Sequence, residues 1–512
     1  MTGMNEPLEH EPAAFGLSKS RIAAFEQCPR RLWLQFHSPQ VAAAGQDSAL
    51  RKLAAGNEVG SVARALIPDG ELVEADPDLQ AALDHTAELI AAADRPIFEA
   101  TLEHDGVMVR IDVLMPIKVG GEQAWHLGEV KSSTTCKAYY VADLATQLWV
   151  AESCGLKIGN ASVRHLNSGF VLKHEGEYAN LFTDAELYDD ATAIANERQS
   201  VVDEARRTLS GQKPQCSTGA HCTSPFDCEF VAHCKELEPA PPEWPIAELP
   251  NSGKRLAAAW AGNQIYDLRE LPEDAQLTAL HERIRQAVTT GQAFVDSAAF
   301  AQSMAQWAYP RTWLDFETIA FAVPRWVGTK PWEAIPFQFS AHVEQNDRHL
   351  AHIEALDLSG NDPRAMIAEA LSKLPSEGAV IAWNMSYEAM VLRALAKAVP
   401  HHKAALLSLA ERLVDPMPLA KAHYYHPDQR GSFSIKYVLP TIAPELDYQV
   451  LEVSDGMAAQ AAYLEATSLE CSDKRQADID IALRRYCGLD TWAMVVICDR
   501  LSGAHGSYPA GI

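Results

Sequence analysis

The sequence predicts an α/β (α+β) protein built as two domains joined by a stiff linker. Three observations carry this. At 512 residues the chain is too long for one ordinary domain. Short strand-like apolar runs alternate with helix-like periodic runs in both halves. Between the halves, the segment ELEPAPPEWPIAELP (Glu236 to Pro250) holds five prolines and reads as the main boundary.

In chain order, residues 1–16 are polar and acidic and are expected to be disordered. A first domain over residues 17–237 opens with the helical pattern SKSRIAAFEQCPRRLWLQF. The strands PIFEATLE, VMVRIDVLM and AWHLGEVKS and the helix VADLATQLWVAESC follow. Residues 238–304 form the linker and a helical connector, in which DAQLTALHERIRQAVTTG is amphipathic. A second domain over residues 305–512 has strands at TWLDFETI, FQFSAHVEQ and AVIAWNM. Its helices lie at YEAMVLRALAKAV and IDIALRRYCGLDTWAMVVICDRL.

Composition narrows the function. Apolar residues make up 47% of the chain, enough for buried cores, and no run approaches the ~20 residues of a membrane span. The N-terminus lacks a basic region followed by an apolar core, so a cytoplasmic chain is expected. With 43 basic against 68 acidic residues, the chain is not a general nucleic-acid coat protein. The balance still suits an enzyme that gathers carboxylates around divalent metals and binds phosphate locally and salt-sensitively. Ten cysteines in such a chain are not a disulfide framework. Cys216, Cys222, Cys228 and Cys234 crowd one segment and point to metal or iron–sulfur ligation. Cys136, Cys154, Cys471, Cys487 and Cys498 read as reduced thiols with no link to chemistry.

Two pairs of acids sit where carboxylates are costly. In TWLDFETIAF, Asp315 and Glu317 lie two apart in an apolar strand, so they share a face while Phe316 points the other way. Buried carboxylates need a partner or a cation, and this spacing suits a hard cation with oxygen ligands. In the first domain Asp112 lies mid-strand in RIDVLM, and Glu129 and Lys131 share a face in GEVKSS. Gln147 on the next helix is spaced to reach back. Two acids and a lysine across neighbouring strands suit phosphodiester hydrolysis with Mg²⁺ or Mn²⁺. A capping Asp112 and a surface Glu129–Lys131 pair are the alternative.

The ordered set IDVL, GEVKSS and ATQLW resembles the PD-(D/E)XK nucleases, especially the RecB-like branch and its relatives in CRISPR adaptation. The resemblance implies that Asp112 and Glu129 bind metal and that Lys131 and Gln147 complete the catalytic set. It also implies that Cys28 of FEQCPRRLWL joins Cys222, Cys228 and Cys234 of HCTSPFDCEFVAHC on a [4Fe–4S] cluster, which staples the chain start to the domain end. Two features depart from the family. The downstream cysteines have five-residue gaps, with Cys216 as a possible substitute and Zn²⁺ as the alternative ion. Gly60 stands in GNEVGSVAR where the branch usually has a metal-binding His, so Glu58 or Glu99 would contribute, or the site is weak. Glu99 reads equally as a strand-edge acid.

In the second half, WNMSYE offers Asn384, Tyr387 and Glu388 where a strand hands over to a helix. RRYCGLD offers Tyr486 and Asp490 at i and i+4. LDFET, WNMSYE and YCGLD in this order resemble the DEDD exonucleases of the ribonuclease H-like fold, in the variant with Y-x-x-x-D in the last motif. That implies Asp315, Glu317 and Asp490 on two metals, Tyr486 orienting water, and Glu388 standing where the family has Asp. GSFSIKYVLP is reminiscent of the same group, with Lys436 touching phosphate or simply solvated. Asp415 reads as structural. TIAFAVPRWVGTKPWEAIPFQFS interleaves Trp326, Trp332 and Phe337 with Arg325 and Lys330, which suits base stacking or a packed loop. The whole resembles an uncharacterised prokaryotic domain-of-unknown-function family joining the two nuclease types. The implied function is a metal-dependent nuclease, on DNA more than RNA, in repair, recombination or defence. A first half that only binds DNA, an RNA exonuclease and a non-catalytic scaffold remain open.

Overall fold

The computed structural model describes residues 16–43, 47–74, 78–446, 448 and 451–504. The chain is α+β and forms two compact units. The first holds the residues up to Ala240 together with Phe321–Trp332, and the second holds Pro241–Ala320 and Glu333 onward. Most of the segment expected to be disordered, residues 1–15, lies outside the described residues. The helical connector is part of the second unit. Ile246, Leu268, Ile284 and Val288 bury themselves with Tyr425 and Phe433 in one apolar cluster, so the stretch is built into a core.

The first unit is a seven-stranded mixed sheet. Its central strands Ile97–His104, Val107–Val119 and Glu122–Lys131 form an antiparallel meander. Two tight hairpins set the register. Asp105–Gly106 and Gly120–Gly121 all have positive φ, as two-residue turns matching the strand twist require. The helix Ala138–Ser153 then crosses to Ile158–Leu166, which runs parallel to Glu122–Lys131. The short strand Leu17–Ser18 pairs parallel with Val107–Val119. The single helix expected around Cys28 is two, Lys19–Gln27 and Pro29–His37. Pro29 explains the break, because a residue before proline is pushed from helical to extended backbone, and Cys28 is extended.

The second unit has a five-stranded sheet in the order Leu350–Leu356, Ile335–Glu344, Arg311–Ile319, Val380–Ile381, Leu413–Val414. The first three strands are antiparallel; the last two run parallel to Arg311–Ile319 and to each other. Alternation along Arg311–Ile319 does the sorting. Leu314 and Phe316 enter a core with Phe339, Val391 and Leu392, while Asp315 and Glu317 face the long helix Asp473–Leu501 and its neighbours. Ser340 lies opposite Asp315 in the ladder. Behind the acids, Thr491 Oγ1 joins Ser340 Oγ at 2.7 Å and His342 Nδ1 at 2.8 Å, tying helix to sheet. No described helix is long and apolar enough to cross a membrane.

Thr491→Val should cost about 1–3 kcal/mol, because it leaves His342 Nδ1 buried without its partner. A lowered urea midpoint for the second unit would show this.

Candidate functional site

The second unit opens a cleft of about 1200 Å³, counting its solvent-filled mouth. Three elements deliver its acids. The strand Arg311–Ile319 brings Asp315 and Glu317, the first turn of helix Ser386–Ala398 brings Glu388, and helix Asp473–Leu501 brings Tyr486 and Asp490 one turn apart. Asp315, Glu317 and Asp490 each offer a carboxylate oxygen within 4.8 Å of the others. Glu388 Oε2 is buried without a hydrogen-bond partner.

The charges are poorly compensated by the chain itself. Burial pushes Asp315 well above the carboxylate range, and Asp490, Glu317 and Glu388 push it further. Glu317 is raised to about 8 by burial and the Asp490 charge. Glu388 is raised to about 7 by burial, with Asp415 adding to it. Asp490 is raised to about 6 by burial, tempered by hydrogen bonds from Tyr448 and Tyr486 and by the Lys436 charge. Tyr448 Oη donates to Asp490 Oδ1 at 2.6 Å. Lys436 Nζ donates to the Ser454 carbonyl at 2.7 Å and to Tyr486 Oη at 3.2 Å, and touches none of the carboxylates directly. A divalent cation with oxygen ligands fits this set. The donors are hard oxygens, they converge, and their repulsion is what a cation relieves.

The first unit also brings its expected residues together. Val130 N–H donates to Asp112 Oδ2 at 2.6 Å, and Gln147 Nε2 donates to Glu129 Oε2 at 2.5 Å. Lys131 Nζ lies 2.6 Å from Glu129 Oε1 and 2.9 Å from Asp143 Oδ2. A second lysine, Lys19, lies 2.6 Å from the same Glu129 Oε1. Burial would raise Glu129, but Lys19 and Lys131 bring it down to about 2. Burial and the Glu129 charge raise Asp112 to about 7. Glu99 faces Arg64 at 3.4 Å and Arg110 at 3.5 Å, and Glu58 faces Arg325 at 3.9 Å. Gly60 lies beside Arg64, whose Nη1 would be 3.5 Å from an added Cβ.

Cys28, Cys216, Cys222, Cys228 and Cys234 all line one pocket, with Arg30 and Arg31 beside them. Cys216, the substitute that the sequence offers, lines this pocket together with Cys28. Burial, with the Cys216 charge adding to it, pushes Cys28 up to about 11.

Other expectations divide. Asp415 caps the helix Pro416–His423 and accepts from Met417 and Asn384 N–H. Tyr387 Oη bonds Thr318 Oγ1 at 2.5 Å. Phe337 is not a stacking surface: it is fully buried against Tyr463. Arg325 and Trp326 pack on Phe321, and Trp332 Nε1 donates to the Ser132 carbonyl at 2.6 Å, while Arg325, Lys330 and Trp332 stay exposed. Cys487 is not remote from chemistry, since its sulfur sits 3.8 Å from Asp315 Oδ2. Sequence reasoning missed Tyr448, Lys19, Asp143 and the contact of Cys487. The last was signalled only by its place next to Tyr486.

A family described as a domain of unknown function (DUF2779) matches residues 312–434. The match takes in Asp315, Glu317 and Glu388 and stops short of Tyr486 and Asp490. No curated protein matches the chain.

Because these carboxyl groups are raised on folding, the folded state holds protons that the unfolded state has released. Their contribution is therefore greatest below the ordinary carboxylate range near 4 and is lost as pH rises toward about 8. In EDTA the melting temperature of the second unit should fall between about pH 6 and pH 8.5, and Mn²⁺ should restore it most at the higher pH. Calorimetric scans check both directions.

Proposed function

We propose that the chain is a divalent-metal-dependent nuclease whose phosphodiester hydrolysis is carried out in the second unit's cleft. Single-stranded or end-bearing DNA is the favoured substrate. The observation that carries the reading is the convergence of Asp315, Glu317, Asp490 and Glu388, with Tyr486 and Lys436, in one open cleft. Mg²⁺ or Mn²⁺ held by these carboxylates would supply Lewis-acid chemistry, neutralising charge on phosphate and activating water.

The chain's own groups divide the remaining work. Asp315, Glu317 and Asp490 are the ligands, and Glu388 is the fourth carboxylate. Tyr486, held far above its ordinary pKa by burial and the acids around it, stays a phenol and orients the attacking water through its hydroxyl. Lys436 stands over the Tyr448 and Tyr486 rings and offers its ammonium group to a non-bridging phosphate oxygen. Tyr448 fixes the orientation of Asp490 from behind. With a net charge of -25, affinity for nucleic acid comes from such local groups and falls with salt. The first unit is read as a DNA-binding module, a reading favoured by Glu129 having both carboxylate oxygens already engaged. A cytoplasmic location and a role in repair, recombination or defence belong to the same proposal.

The five-cysteine pocket is read as the seat of a [4Fe–4S] cluster, with zinc as the alternative. Thiolates suit either. Among the described residues no three of these sulfurs lie within 4.8 Å of one another. A single zinc with ligands at about 2.3 Å would need a tighter set, which favours the larger cluster.

End-labelled single- and double-stranded DNA and RNA, with Mg²⁺ or Mn²⁺, test the hydrolysis. Asp315→Asn should reduce cleavage to background. Tyr486→Phe should slow it about 10²-fold or more, and Tyr448→Phe about 10–100-fold. Equal cleavage by wild type and Asp315→Asn would refute the assignment, and no cleavage by metal-replete wild type would favour a scaffold. For the cysteines, anaerobically purified protein should carry about four irons per chain and absorb visible light. Cys222→Ser should lose both, and a colourless zinc-bearing protein would overturn the cluster.

A further inference from the structure

The two acidic sites differ in what already sits on their carboxylates. Among the described residues no ion pair reaches the three converging acids of the second unit, and Lys436 spends its hydrogen bonds on Ser454 and Tyr486. In the first unit the carboxylate oxygens are largely used up. Glu129 Oε1 receives two ammonium groups at 2.6 Å each, Glu129 Oε2 receives the Gln147 amide, and Asp112 Oδ2 receives the Val130 N–H. One oxygen of the pair, Asp112 Oδ1, is left over. The nearby acid Glu99 is paired with Arg64 and Arg110. Among the described residues no group of three potential ligands includes Asp112 or Glu129. With the Lys19 ammonium on Glu129, this donor set does not fit a divalent cation.

Lys19 is not a loose surface lysine that happens to fall there. It is the first residue of helix Lys19–Gln27, which Ser18 caps through the Arg21 N–H. One residue earlier the chain is a strand, with Leu17 opposite Val107 and Ser18 opposite Met108. The far end of the helix is capped by Cys28, in the cysteine pocket. Both ends of the helix are therefore anchored, and its first turn aims the ammonium group at Glu129. Only 23% of the Lys19 side chain is exposed.

We propose that Lys19 is an internal cation that takes the place of a divalent metal in the first unit, so that this site binds no Mg²⁺ or Mn²⁺ while Lys19 is present. Two ammonium groups, from Lys19 and Lys131, then supply the positive charge that Glu129 requires. The inference does not rest on the proposed hydrolysis, because metal occupancy is its readout.

Mn²⁺ binding to the full chain, followed by the loss of the free-ion paramagnetic resonance signal, tests it. Wild type and Asp112→Asn should bind the same number of ions. Lys19→Met and Lys19→Gln should each gain one ion per chain, Lys19→Arg should gain none, and Lys19→Met combined with Asp112→Asn should lose the gain. A site lost on Asp112→Asn alone would overturn the proposal, because metal would then bind beside Lys19. No gain in either neutral variant, with the melting profile retained, would also overturn it.

Discussion

Asp315, Glu317 and Asp490 are held within 4.8 Å of one another in a buried wall, and the chain does not neutralise them. Burial favours the protonated form of all three, and the neighbouring charges push Asp315 and Glu317 further, so this part of the molecule is strained electrostatically unless protons or a cation are present. The surroundings make the arrangement tolerable without relieving it. Tyr448 donates to Asp490, Tyr486 lowers that acid too, and Lys436 lowers two of the acids from a distance. The Ser340–Thr491–His342 cluster fixes the helix that carries Asp490 against the strand opposite Asp315. A rigid, under-neutralised set of oxygens is what a metal site requires.

The first unit solves a similar problem in the opposite way. Glu129 is as buried as the second unit's acids, yet it is held ionised, because two lysines and an amide meet it. Lys131 is in turn shared with Asp143. Among the described residues, one site meets its acid with two ammonium groups and the other shows no ion pair to its three converging acids. Buried strand carboxylates thus serve two electrostatic states, and in the first unit one of the deciding groups, Lys19, comes from a distant part of the chain.

Those distant groups mark the limit of what the sequence disclosed. The strand period placed Asp315 and Glu317 on one face and Phe316 in the core, and the helix period aligned Tyr486 with Asp490. Both rules are local, and both appear in the structure. The cysteines were legible because spacing gathers them, although all five sharing one pocket was not. Lys19 could not be read, since 110 positions separate it from Glu129 and the Leu17–Ser18 strand pairing that helps bring it there is itself long-range. Tyr448 belongs to no pattern. Phe337 misled because an aromatic in a basic, aromatic-rich stretch looks the same whether it faces solvent or a core. The connector looked independent for want of any local sign that Tyr425 and Phe433 would complete its apolar cluster.

The most direct test is an anomalous difference map from crystals of the full chain soaked in Mn²⁺. The account predicts density bonded to Asp315, Glu317 and Asp490, with none beside Asp112 and Glu129, where Lys19 keeps its contact. An empty second-unit cleft, or an ion on Glu129 in place of Lys19, would contradict it.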